Sequence, residues 1–300
     1  MSGVGASSRW RTLTEVLGDR DLGRLFIGVG SWAATDAAFL LAVSVLALDL
    51  GGPGAVGLVG ALRVLPAAVC AGLFSGVADR VSRPLIIAGV NAALVVVAVV
   101  AAVAAGRGAG LGTLLAVVAT ASAVSALLKP SQQALLPQLV TNPGQLMAAG
   151  STWSTLNGLG SVVGPALAGL GLALWGPVAV FGGLAVAYLG TALATWSIRS
   201  PFQRARRTGG RVGWTERAVA RLLGVSLFWR PGRRAVFLLL LVGRAMSGLV
   251  TVFVVLSARS LSGGSGQALT GTLFAALGVG GMVASVATLV AGGHRARLWL

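Results

Sequence analysis

The chain has 300 residues, of which 56% are hydrophobic and only 10% charged, at a mean hydropathy of +0.89. A soluble domain of this length carries about a quarter charged residues, so a soluble globular fold is excluded and a membrane protein is expected. The net charge of +16 invites nucleic acid as a partner, but the basic residues fall between apolar runs and form no single basic face, so no nucleic-acid binding is expected.

In chain order, residues 1–23 form a polar, charged segment that does not read as a cleavable signal peptide. Eight apolar runs follow, near 24–48, 55–78, 84–106, 109–128, 146–173, 176–198, 235–258 and 268–292. Each has the roughly 20 residues needed to cross about 30 Å of hydrocarbon, and in lipid each must be a helix, because only a helix satisfies its own backbone. Gly51-Gly52-Pro53-Gly54, the Asp79–Pro84 turn, Gly106-Arg107-Gly108, Gly176-Pro177 and Ser262-Gly263-Gly264 separate them.

The charges orient the spans. With the N-terminus cytoplasmic, 19 of the 23 basic residues lie on the inner side, including ten arginines in 199–234, and only Arg107 and Arg259 lie outside. This is the positive-inside asymmetry of a multi-pass protein of the cell membrane. The segment 199–234 reads as a basic cytoplasmic linker that binds membrane lipid. Val212, Val219, Leu222, Leu223 and Leu227 give it an amphipathic helix, and a solvated linker held by anionic lipid is the alternative.

Three ionisable residues stand inside apolar runs: Asp36, Arg63 and Arg244. At mid-helix each costs roughly 2.5–3.5 kcal/mol on an insertion scale, so each should meet a partner or a wet cavity. Asp36 lies about 18 Å along its helix from Arg24, and Arg244 about 15 Å from Arg234, so both reach similar depths. Asp36 is therefore a candidate protonatable carboxylate with Arg63 or Arg244 as its alternating partner. A static packing role for Asp36, and a fixed structural pair for Arg63, are the alternatives.

The turn Gly76-Val-Ala-Asp79-Arg80-Val-Ser-Arg83 resembles the loop signature between the second and third helices of the major facilitator superfamily of secondary transporters. In that family the cluster latches two six-helix halves, a role the resemblance carries to Gly76, Asp79, Arg80 and Arg83; a plain charged turn is the alternative. Gly160-Ser-Val-Val-Gly164-Pro165-Ala-Leu-Ala168-Gly169 resembles an exporter and antiporter element of the same family, with Ala168 replacing a glycine. Gly160, Gly164, Pro165 and Gly169 would permit close helix packing and a bend, as would ordinary small-residue packing. Lys129-Pro130-Ser-Gln-Gln-Ala-Leu-Leu-Pro137-Gln-Leu-Val140 is similar to the loop between spans four and five of the enterobactin-exporter-like branch of drug and siderophore efflux proteins. Gly30-Ser31-Trp32-Ala-Ala-Thr35-Asp36 is similar to that branch's first helix.

The resemblance implies an all-α polytopic bundle of twelve helices, eight of them here: a six-helix N-terminal bundle at 24–198, the linker 199–234, and the first two helices of a second bundle in 235–300. It implies a monomeric secondary transporter that exports a small lipophilic or amphipathic molecule, coupled to protons. A non-transporting membrane scaffold, or an inactive truncated transporter, is the alternative. No enzyme, cofactor or metal is expected: Cys70 is the only cysteine, His294 the only histidine, and no nucleotide-binding or hydrolase motif occurs.

Overall fold

The computed structural model describes residues 19–78, 81–140 and 142–198, with isolated helical positions between 242 and 276. Five helices make up the continuous part: α1 (Arg20–Ala78), α2 (Arg83–Gly106), α3 (Leu111–Ser125), α4 (Leu128–Leu139) and α5 (Pro143–Trp196). Four stretches are long and apolar enough to cross a membrane: Arg20–Pro66, Arg83–Gly106, Leu111–Leu139 and Gly144–Trp196. The described chain is thus an all-helical membrane bundle. The eight-span count and the spans expected at 235–258 and 268–292 lie outside the continuously described residues, as do the linker 199–234 and its amphipathic helix.

Two of these helices double back. α1 breaks at Gly52 (φ 70°) and α5 at Gly176 (φ 77°), in the left-handed region where a side chain is costly. Proline follows each glycine and fixes the φ of the first residue of the returning limb. The Gly-Pro pairs therefore make tight hairpins, in place of the short loops expected between spans one and two.

Local chemistry explains the helix starts. The Asp19 carboxylate accepts from the backbone N–H groups of Asp21 (2.8 Å) and Leu22 (3.1 Å), starting α1 four residues before the expected position 24. The Asn142 side chain caps α5 by accepting from Gln145 N–H at 2.8 Å, ahead of the expected start at 146. The stretch 129–140, expected as a loop, is corrected to helix. Pro130 falls in the first turn of α4, where its missing N–H is not needed, and Leu128, Ser131, Gln132, Leu135 and Leu136 form the buried face.

Contacts fix the register of the bundle. Gly51 meets Leu111 and Gly106 meets Val178 at one end, while the Arg24 guanidinium donates to the Ser197 carbonyl (3.1 Å) at the other. The Gly52, Gly108 and Gly176 turns therefore share one face of the membrane. The core between these ends is built from Leu25, Val29, Leu41, Val43, Ile87 and Phe181, with Phe39 and Phe181 in an edge contact at 6.0 Å. Large apolar side chains such as Ile27, Leu174, Val186 and Leu193 point outward, which in hydrocarbon carries no cost.

Candidate functional site

Two chain segments pack on the first limb of α1, and they set the site. α5's first limb runs parallel to it: Leu156 meets Gly30, Gly160 meets Ala33 and Ala34, and Gly164 meets Ala34. A Cβ at Gly164 would stand 2.0 Å from the Ala34 carbonyl oxygen, and one at Gly160 2.6 Å from Ala33 Cβ. Only glycine permits this approach, which is the small-xxx-small geometry of membrane helices. Pro165, Ala168 and Gly169 are buried along the same limb. Pro165 does not break the helix; the one non-helical position within α5 is Gly176.

α5's second limb runs antiparallel to the first limb of α1. Thr195 meets Gly28, the Thr191 hydroxyl lies 2.7 Å from the Ser31 hydroxyl, and Phe181 meets Phe39. This descent places residue 188 opposite residues 34–35. Tyr188 and Thr35 are both buried.

Beside this seam lies the charge pair. Arg63, on the returning limb of α1, donates through Nη2 to Asp36 Oδ2. Asp36 stands sixteen positions before Gly52 and Arg63 eleven after it, so their backbones differ by about 8 Å in height. The long arginine side chain closes that difference. Both side chains retain 28% exposure, so the pair sits at the wall of the bundle and not in its apolar centre. The two rare charges thus satisfy each other, as the cost of an unpaired charge in hydrocarbon requires.

The other expected site residues separate into two sets. Gly76 lies in the last turns of α1, and Arg83, half-buried, opens α2 behind Ser82 with Pro84 next to it. Asp79, Arg80 and Arg244 lie outside the described residues, so Arg63 is the described partner of Asp36. Tyr188, Thr35, Ser31, Thr191 and Thr195 were not anticipated. Their signal was present: hydroxyls at 31 and 35 on one helix, and at 188, 191 and 195 on another, each keep to one helical face.

A second polar feature lies at the end opposite Gly52. Arg24 bridges Asp21 (3.3 Å) and the Ser197 carbonyl, holding a cation at the C-terminus of α5 where the helix dipole favours it. The surface cleft lined by Asp19, Arg20, Asp21, Arg24 and Ser197 is made of these helix-end groups and does not include Asp36.

No curated protein matches the chain. The family model of the Major Facilitator Superfamily does match, over residues 25–299. Members of that family are secondary transporters and not enzymes. The match takes in both limbs of α1, the Asp36–Arg63 pair and the seam with α5, and runs on to residue 299; this chain belongs to the major facilitator superfamily.

Proposed function

We propose that the chain is a proton-coupled exporter of small lipophilic or amphipathic molecules, related to the enterobactin-exporter-like branch and working by alternating access in the cell membrane. The observation that carries this reading is the Asp36–Arg63 pair: a carboxylate and a guanidinium within apolar spans, joined across two limbs of one hairpin at the wall of the bundle. Protonation of Asp36 removes one charge of the pair and frees Arg63 for another acceptor. The bundle then has two states that differ in which groups face each other, which is what alternating access requires. Arg244, at comparable depth in the seventh span, is the proposed second partner.

The branch is supported by the Lys129–Val140 and Gly30–Asp36 motifs, and the orientation by the placement of the arginines. We place Gly76, Asp79, Arg80 and Arg83 as the latch between halves, and 199–234 as the linker between two six-helix bundles on anionic lipid. One proton moving down about 150 mV supplies roughly 3.5 kcal/mol. That sustains a solute gradient of roughly 300-fold.

The test is flux in proteoliposomes, scored with a panel of fluorescent amphipathic dyes. A pH gradient should drive saturable dye movement that a protonophore abolishes, with the counter-movement of protons read by a trapped pH indicator. A membrane scaffold would give no saturable flux. Saturable flux indifferent to the protonophore would leave a transporter without proton coupling.

A further inference from the structure

The Leu111–Leu139 span carries a charge of a different kind from the Asp36–Arg63 pair. Lys129, the only lysine in the chain, stands half-buried in the first turn of α4. Its ammonium lies over the Trp153 ring, 5.8 Å from the ring centroid. The ring face attracts the cation but offers no lone pair to its three N–H donors. Asp36 and Arg63 cancel each other, whereas Lys129 meets no carboxylate among the described residues.

The groups beside this ammonium share its lack of an acceptor. The Trp153 indole N–H is buried and has no hydrogen-bond partner among the described residues. Gln132 follows Lys129 by three positions, on the same face of α4. It is fully buried, and neither its amide nitrogen nor its amide oxygen is partnered among the described residues. Lysine and tryptophan side chains only donate, so they cannot satisfy each other, and a buried donor without an acceptor is costly. The fold supplies no nearby anion. α2 to α5 contain no aspartate or glutamate, and in α1 Asp21 is held by Arg24 and Asp36 by Arg63. Trp153 stands one turn before Leu156, which meets Gly30, so the cluster lies about 14 Å from the level of Asp36, toward the Ser197 end.

We propose that Lys129, Gln132 and the Trp153 indole N–H form a binding site for an anionic oxygen group, such as the carboxylate, sulfonate or phosphate that heads an amphipathic molecule. The lysine stem is flexible, so the ammonium turns from the ring face to the anion, and the indole and amide N–H groups complete the shell. Two sources bring this chemistry: a solute with an anionic head, and an anionic lipid. The site is separate from the Asp36–Arg63 pair and stands whether or not that pair carries protons.

The experiment uses the full chain in nanodiscs of zwitterionic lipid, with Lys129 converted to its isotope-labelled dimethyl form, which keeps the charge. One side-chain signal results, and Lys129→Arg identifies it by removing it. Decanesulfonate should move the signal saturably, while decanol and decyltrimethylammonium leave it in place. Trp153→Phe, which keeps the ring and loses the N–H, should weaken decanesulfonate binding by about tenfold, as should Gln132→Leu. In discs of phosphatidylglycerol without added amphiphile, a signal already moved, and unchanged by decanesulfonate, identifies the anion as lipid. A signal that moves only when decanesulfonate is added identifies it as solute. No movement in either arm, or equal movement with decanol, overturns the inference. So does movement undiminished in both Trp153→Phe and Gln132→Leu, which would make it an effect of surface charge alone.

Discussion

Asp36 and Arg63 stood out in the sequence because hydrocarbon leaves no neutral place for a charge. Their pairing did not, since the choice between Arg63 and Arg244 depends on how the returning limb of α1 packs. The hairpin at Gly52 brings Arg63 to Asp36, while Arg244 lies outside the described residues. Removing one partner strands the other, so Arg63→Met should destabilise the bundle by about 2–3 kcal/mol. The double variant Asp36→Asn/Arg63→Met should cost at least 1 kcal/mol or so less than the two single changes together. Thermal unfolding of the purified protein in detergent checks this, and strict additivity would mean that the pair contributes nothing. Tyr188 escaped notice for a different reason. A single aromatic in an apolar helix reads as packing, and only the antiparallel register, with Thr191 beside Ser31, shows that it stands opposite residues 34–35.

At the scale of whole helices, hydropathy located the apolar rods and misjudged their joints. Gly51-Gly52-Pro53-Gly54 and Gly176-Pro177 were recognisable as turns, but not as single-residue breaks, because only the left-handed φ at Gly52 and Gly176 lets helix run up to both sides. The segment 129–140 looked like a loop because its prolines and glutamines lower its hydropathy. It is helical because Pro130 falls in the first turn of α4, and Gln132 is buried beside Leu135. The glycines of α5 make the sharpest distinction. Gly164→Ala drives a methyl into the Ala34 backbone and should lower stability by about 1–3 kcal/mol, with loss of flux as the α1–α5 crossing opens. Gly150→Ala, in the same helix with open space around its Cβ position, should be neutral or stabilising by up to about 1 kcal/mol. Equal losses at the two positions would contradict the close-approach account.

Across the molecule, alternation of the limbs puts the turns at Gly52, Gly108 and Gly176 on one face and Asp19, Ser82, Asn142 and Ser197 on the other. The arginine distribution assigns the second face to the cytoplasm under the proposed orientation. In a Cys70→Ser background, Ala109→Cys in intact cells should react with an impermeant maleimide, and Ser82→Cys should react only after permeabilisation. The reverse pattern would invert the protein and with it the direction of export. The central claim is that the Asp36 carboxylate converts proton binding into a change of state. It is tested most directly by comparing gradient-driven dye accumulation with dye counterflow in the same proteoliposomes carrying Asp36→Asn. Accumulation should fall to the level of empty liposomes while counterflow persists, because the variant can still change state but no longer carries a proton. Accumulation unchanged from the native protein would contradict the claim.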